Sequence, residues 1–479
     1  MSKTSITSIS ITLNTSGTRL AMLLILALGT LPLLPAHADD LSMVYRQALR
    51  QDPVIDAARY ALQAAEQKLP QARAGLLPTL NWSANKSKQS GTSAFAEADP
   101  VDRSIKNNGW TLQLTQPIFR PGNWLIYTQT DAQVRQAQEQ FIQAQQDLIL
   151  RVAQSYFDVV VAEDSVRVAI AQDHSVAMQL ELAKRNFEVG TSTVTDVHEA
   201  KSRFDLSRAQ RIGAVNDLQG KQAELERMLG QLPSSLAPLK SDAVPPLPSP
   251  PELASWIDKA KVQHPLVRIA LQAQEVADKE ISKNRAGHLP TLDFTASRSS
   301  NFSSGSLSSP TDLETRSKPN QLSLQLVIPL YSGGATDARV QESVASLNKA
   351  HADLEGARRQ AAALARQAYS GVMNGQAQIE ALGSAVESSK SSVDANKIGY
   401  KIGTRINIDV LNAEQQFFAA MRDLAKARVE TFMQGLRLKA AVGSLSEADL
   451  EILNQSLNLV GEAELVRQVT PETKSPATN

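Results

Sequence analysis

Asp196 and Asp409 are the residues of this sequence whose surroundings most resemble a site. Each follows a Gly-Thr pair by the same interval: Val189-Gly190-Thr191 precedes Asp196-Val197, and Ile402-Gly403-Thr404 precedes Asp409-Val410. A carboxylate just beyond a sharp turn can collect cations, or it can simply complement the positive end of the helix that begins there. Gly190 and Gly403 suit the positive-φ backbone that a helix–helix turn needs. Arg405 is either a partner for an acid or a solvated loop residue; the residues alone leave both roles open. Other chemistry is poorly provided for. His37, His174, His198, His264, His288 and His351 are scattered, without the His-x-x-x-His or His-Glu-x-x-His spacing of metal sites. Cysteine is absent, which removes disulfides, thiol catalysis and thiolate ligands together. There is no glycine-rich phosphate loop and no Gly-x-Ser-x-Gly elbow. The sequence predicts no enzyme, no metal site and no cofactor.

The elements that must position these aspartates are written twice. Ala74-Gly75-Leu76-Leu77-Pro78-Thr79-Leu80 recurs as Ala286-Gly287-His288-Leu289-Pro290-Thr291-Leu292, and Leu112-Gln113-Leu114 recurs as Leu324-Gln325-Leu326. Gln51-Asp52-Pro53 recurs as Gln263-His264-Pro265 at the same offset, and the Gly-Thr turns follow at that offset plus one residue. Several matches in register predict two units of one architecture. Seven prolines crowd residues 232–251, so no regular helix runs through them and they mark the boundary. The expected organisation is a signal peptide at 1–38, a first repeat at 39–231, the proline-rich linker, a second repeat at 252–445, and a C-terminal segment with a loose tail at 446–479. The signal reading rests on Lys3 and Arg19, the apolar run Leu20–Leu34, and the Ala36-His37-Ala38 cleavage pattern.

Each repeat pairs short strands with a long helical hairpin. Alternation predicts strands at 79–86 and 109–119, and again at 291–298 and 321–330, where Leu80, Trp82, Leu112, Phe294 and Leu324 alternate with polar residues. Polar stretches between them, Lys86–Asn108 and Arg298–Asn320, are expected to be exposed loops. From Asn123 to Val189 there is no glycine or proline, enough for one helix of roughly 100 Å. The hairpins are expected at 123–229 and 335–442, with Val166, Ile170, Ala177, Leu180 and Phe187 as a coiled-coil seam near the tip. An ordinary half-buried sheet would explain the alternation by itself. If instead these strands span a membrane, a four-stranded sheet cannot close, because about eight strands are needed and open edges are not tolerated in lipid. Several chains would then share one barrel. Lys+Arg and Asp+Glu are balanced at 49 each, so nothing recommends nucleic acid as a partner.

With these motifs in place, the chain resembles the TolC family of outer-membrane export proteins. The resemblance is carried by the twofold repeat, the Ala-Gly-x-Leu-Pro-Thr-Leu stretches, Gln116-Pro117-Ile118-Phe119 and Ile328-Pro329-Leu330-Tyr331, and above all Gly399-Tyr400-Lys401-Ile402-Gly403-Thr404-Arg405 followed by Asp409-Val410-Leu411. It implies a mainly α chain with a membrane β-barrel: a homotrimer whose twelve-stranded barrel in outer-membrane lipid continues as a twelve-helix periplasmic tunnel. It also implies docking, through a periplasmic adaptor protein, onto an inner-membrane transporter of RND, MFS or ABC type. Val189, Gly190, Thr191, Ile402, Gly403 and Thr404 are then the docking tips. Asp409 is expected to line the narrowest constriction, with Tyr400 bonded to Asp196 and Arg405 to Thr195 to keep it closed. Where the family commonly has a second acid this sequence has Asn412, which predicts weaker cation block. The absent cysteine sets the chain apart from the lipoprotein branch. A periplasmic coiled-coil scaffold without a pore is the alternative.

Overall fold

The computed structural model of the protein describes residues 39–458 apart from 95–98, 234, 241 and 310. The expected signal peptide and the last part of the expected tail, 459–479, lie outside the described residues. In the first half the elements are α1 (Leu41–Gln51), α2 (Pro53–Glu66), α3 (Lys68–Ala74), β1 (Thr79–Ser93), β2 (Val101–Phe119), α4 (Pro121–Glu188) and α5 (Val194–Leu229). In the second they are α6 (Leu253–Gln263), α7 (Pro265–Arg285), β3 (Thr291–Ser304), β4 (Glu314–Ser317), β5 (Asn320–Val327), α8 (Ala335–Lys401) and α9 (Asn407–Ala441), followed by α10 (Glu447–Asn454).

One antiparallel sheet joins the halves. β1 pairs with β2, β2 with β3, and β3 with both β4 and β5. β4 and β5 share a single register on β3, since Asn301 faces Ser317 and Arg298 faces Asn320. The interruption falls at Lys318-Pro319, where proline has no N–H to give to the ladder. β1, β2 and β3 run further than alternation predicts, while β5 stops at Val327, short of the expected 330. β1 continues to Ser93 and β2 begins at Val101, so much of the stretch expected as a loop is ladder. Side chains there are polar on both faces, which erases the period-2 signal. Directly paired residues share a face. Leu80, Leu114 and Leu322 therefore lie with Trp82, Leu112, Leu324 and Leu326 on one side of the sheet. Among the described residues β1 and β5 each have one strand partner and one open edge. At the base of the sheet Arg120, just before α4, grips Asp293 of β3 through two hydrogen bonds of 2.8 and 2.6 Å. No helix among the described residues is long and apolar enough to cross a membrane.

α4 spans 68 residues and α8 spans 67. Each is returned by a shorter helix, α5 or α9. The largest core lies near the middle of α4, where Tyr156, Phe157, Leu148 and Val152 meet Leu41 and Val44 of α1, Leu225 and Leu229 of α5, Phe432 and Met433 of α9, and Leu450 of α10. The proline-rich stretch is packed here as a belt, with Leu236, Ala237 and Ala243 buried in the same core. Asp39 bridges to Leu236 and Leu457 to Leu239. In the second half Ala361, Ala365 and Ala368 of α8 pack with Leu438 and Ala441 of α9. A methyl group at Gly375 would stand 2.3 Å from Thr431 Oγ1, so close approach of α8 to α9 requires glycine there. Near the tips the buried line is Val176, Leu180 and Ala183 against Ala200 and Leu411. Of the expected seam only Leu180 is in that line; Ile170 and Phe187 are half exposed. Small Ala183 and Ala200 let the helices close on a line shifted from the larger side chains.

The two repeats solve one helix break with different chemistry. Asp52 ends α1 and caps α2, its Oδ1 accepting from Val54 N at 3.1 Å, while Arg151 of α4 donates to its Oδ2 at 2.6 Å. At the matching position His264 caps α7, Nδ1 accepting from Leu266 N at 3.1 Å. Only a neutral imidazole can accept at Nδ1. Burial holds the His264 pKa below the ordinary histidine value, which keeps it neutral. A depressed folded pKa means the unfolded chain takes up the proton first. The cap's contribution is therefore complete above the unfolded value of about 6.5 and is lost as pH falls through the lower folded value. His264→Ala should cost about 1 kcal/mol at pH 8, and the gap between native and variant should narrow in acid, as read by thermal melting followed by circular dichroism. His264→Asp should keep the cap and remove the narrowing.

Candidate functional site

The two hairpin tips are built alike. At the first, Gly190 has φ +78°, Thr191 N donates to Asn186 O at 2.8 Å, and Gly190 N donates to Phe187 O at 3.0 Å. At the second, Gly403 has φ +78°, Thr404 N donates to Gly399 O at 2.9 Å, and Gly403 N donates to Tyr400 O at 3.2 Å. This pair of bonds closes a helix through one left-handed residue, which glycine adopts without steric cost. Both threonine hydroxyls bond back to the same carbonyls, Thr191 to Asn186 O and Thr404 to Gly399 O. The Gly-Thr pairs are thus fully engaged in making the turn. At each apex stands a large apolar residue turned to solvent: Val189 is 72% exposed and Ile402 is 69% exposed.

The aspartates are not alike. Asp196 sits in a capping box: Thr193 Oγ1 accepts from Asp196 N at 3.3 Å, and Asp196 Oδ2 accepts from Thr193 N at 2.9 Å. The helix-dipole role accounts for it. At the second tip Ile406 stands where Thr193 stands at the first, and an isoleucine offers no side-chain cap. Asp409 N bonds only to the Ile406 carbonyl, at 3.1 Å. The Asp409 carboxylate is left for other work, with Arg405 Nη1 at 3.7 Å. Both side chains are partly in water, and such a pair contributes little to stability.

Three contacts near the tips hold the second hairpin against the first. Tyr400 Oη accepts from Asn186 Nδ2 at 2.9 Å. Arg203 of α5 donates to Asn412 Oδ1 at 3.0 Å and to Gln415 Oε1 at 2.8 Å, both on α9. Glu414, only 2% exposed, accepts from Ser175 Oγ of α4 at 2.6 Å and pairs with Lys397 of α8 at 2.7 Å. Within one chain, then, Tyr400 is bonded to Asn186 rather than to Asp196, whose carboxylate is occupied by Thr193. Arg405 pairs with Asp409 rather than with Thr195, which is exposed in the first turn of α5. Sequence reasoning missed Asn186, Arg203 and Glu414. Glu414 had one signal, an acid one helical turn beyond Val410 on the apolar face. The other two contacts join residues 209 or more positions apart, and nothing local announces them. Among the described residues no group of histidines and acids could hold a metal ion.

Known proteins place this geometry. The profile of the family described as outer membrane efflux protein matches residues 44–231 and again 256–444, once in each half. The alkaline protease secretion protein AprF of Pseudomonas aeruginosa is 33% identical over 440 residues, which is 90% of each chain. The outer membrane protein TolC of Vibrio cholerae is 31% identical over 434 residues, 90% of this chain and 97% of that protein. Among solved structures, the Campylobacter jejuni CmeC outer membrane channel matches with a TM-score of 0.71 at 16% identity, across 97% of this chain and 99% of that one, so the two share a fold.

The difference between the aspartates is measurable. Asp196→Ala removes the reciprocal half of the capping box and should destabilise the first tip by about 0.5–1 kcal/mol. Asp409→Ala should change the second tip by less than about 0.5 kcal/mol. Amide hydrogen exchange at the two tips reads both values, and equal losses would return Asp409 to a capping role.

Proposed function

The chain belongs to the outer membrane efflux protein family, and we propose that it is the outer-membrane channel-tunnel through which a tripartite efflux pump or a type I secretion system discharges its cargo. One piece of architecture carries this: a sheet with two open edges and an apolar exposed face, continuous with two long helical hairpins. In hydrocarbon an open edge strands N–H and C=O groups at several kcal/mol each. The sheet has four strand positions, counting β4 and β5 as one, and about eight are needed for closure. Three copies supply a closed barrel of twelve, and their long helices, four to a chain, supply a twelve-helix tunnel wall. The apolar face then meets outer-membrane lipid.

A passive duct needs its energy from elsewhere, and the sequence has no nucleotide-binding loop. The expected partners are a periplasmic adaptor protein and an inner-membrane transporter of RND, MFS or ABC type, and Val189 and Ile402 at the apices are the natural surface for the adaptor. The identity with AprF favours a secreted protein among the cargoes. In the assembled trimer Asp409 lines the periplasmic constriction. Asn186–Tyr400 and Arg405–Asp409 restrain it, and Thr195, exposed in the first turn of α5, is available to a neighbouring chain.

The protein should fractionate with the outer membrane, run as a heat-labile trimer, and conduct ions in planar bilayers; a soluble periplasmic monomer would sink the duct. Tyr400→Phe combined with Arg405→Ser removes both restraints and should raise single-channel conductance several-fold without loss of the trimer. Unchanged conductance in the assembled variant would remove these residues from the gate. A deletion strain tested for drug susceptibility and for lost secreted proteins identifies the cargo.

A further inference from the structure

Arg203 is held in an unusual way for a cation beside an acid. Its Nη1 and Nη2 donate to Gln415 Oε1 and Asn412 Oδ1, at 2.8 and 3.0 Å. Both acceptors are neutral amides, so they fix the guanidinium without cancelling its charge. Asn412 lies three residues beyond Asp409 on α9, on the same helical face and about 4.5 Å further along the axis. The guanidinium is therefore fixed on a residue that lies one turn beyond Asp409 along α9. At such separations unit charges act strongly on each other and on any ion between them.

We propose that Arg203 sets the ion selectivity of the periplasmic constriction: its fixed positive charge offsets Asp409, so that the constriction binds multivalent cations weakly. This rests on Asp409 lining the constriction. On a threefold axis the carboxylates contribute three negative charges, and the Arg203 side chains add three positive ones to those of Arg405, so the ring has no excess of negative charge. Asparagine at 412 is what keeps the guanidinium charge in play; an acid there would pair with it. Position 412 thus acts through Arg203, and not merely as a missing acid.

The test is block of the trimer in planar bilayers by a trivalent hexaammine cation added from the periplasmic side. Arg203→Gln and Asn412→Asp each make the ring more negative by one charge per chain. Each should tighten block by roughly tenfold at low salt, and less at high salt. The double variant should block more tightly than either, and Arg203→Lys, which keeps the charge, should behave as the native protein. Gln415→Glu neutralises the guanidinium from its other side and should tighten block as Arg203→Gln does; it serves if the glutamine variant does not assemble. Native block in both Arg203→Gln and Gln415→Glu, with tighter block in Asn412→Asp, would overturn the role of Arg203. Asp409→Ala separates the two levels. Loss of residual block keeps Asp409 in the constriction, whereas intact block in that variant would remove the constriction assignment and the offset with it.

Discussion

Tyr156 and Phe157 stand edge to face, ring centroids 5.5 Å apart, both fully buried near the middle of α4. The Tyr156 hydroxyl donates to the Ala237 carbonyl of the proline-rich belt at 2.8 Å, and burial pushes its pKa upward, which keeps it a donor. Around this pair gather α1, the ends of α5 and α9, the belt and α10. From here α4 extends about 50 Å towards the sheet and about 50 Å towards the tip. Neither end has a core of comparable size, because two or three helices side by side offer little depth in which to bury side chains. Stability is therefore concentrated at one level, and the extremities are held by short apolar lines and a few polar contacts. Helices can shift at a tip without disturbing what holds the chain together.

Division of labour between the repeats follows from small substitutions on a common frame. Ile406 stands where the first repeat has Thr193, and an aspartate that completes a capping box at the first tip is released from it at the second. Asp52 and His264 cap the same helix break, one as an anion anchored by Arg151 and the other as a neutral ring. Glu414, buried beside Lys397, carries a charge into a place where an apolar residue would pack. Removing Lys397 would leave the Glu414 carboxylate buried without its cation, which is costly. Of the two returning helices, the second begins without a side-chain cap.

Much of this was legible before any coordinates, for physical reasons that differ by element. The long helices announce themselves by the lack of glycine and proline from Asn123 to Val189. The turns at Gly190 and Gly403 follow from a conformation that glycine adopts freely. The repeat made each inference twice. Strand ends were less legible: around Lys88 and Lys106, paired across β1 and β2, both faces are polar and alternation vanishes. The site was legible as a place and not as a set of contacts. Asp409 could be singled out by its position, but Arg203 lies so far from Asn412 in sequence that only the fold brings them together. The restraints expected on Tyr400 and Arg405 illustrate the same limit, since within the chain each has a nearer partner than the one expected.

The belt has a consequence for the topology of the whole chain. Asp39 and Leu457, close to opposite ends of the described residues, are held by neighbouring stretches of one linker, at Leu236 and Leu239. The polypeptide returns at mid-height to the place from which it set out. Geometrically it is close to a ring, with two hairpin-and-strand lobes meeting at a common waist. In a ring of two lobes built on one frame, the order in which they are threaded is not demanded by packing. Joining the ends near Asp39 and Leu457 and opening the chain within the linker would then leave both lobes and their waist contacts in place.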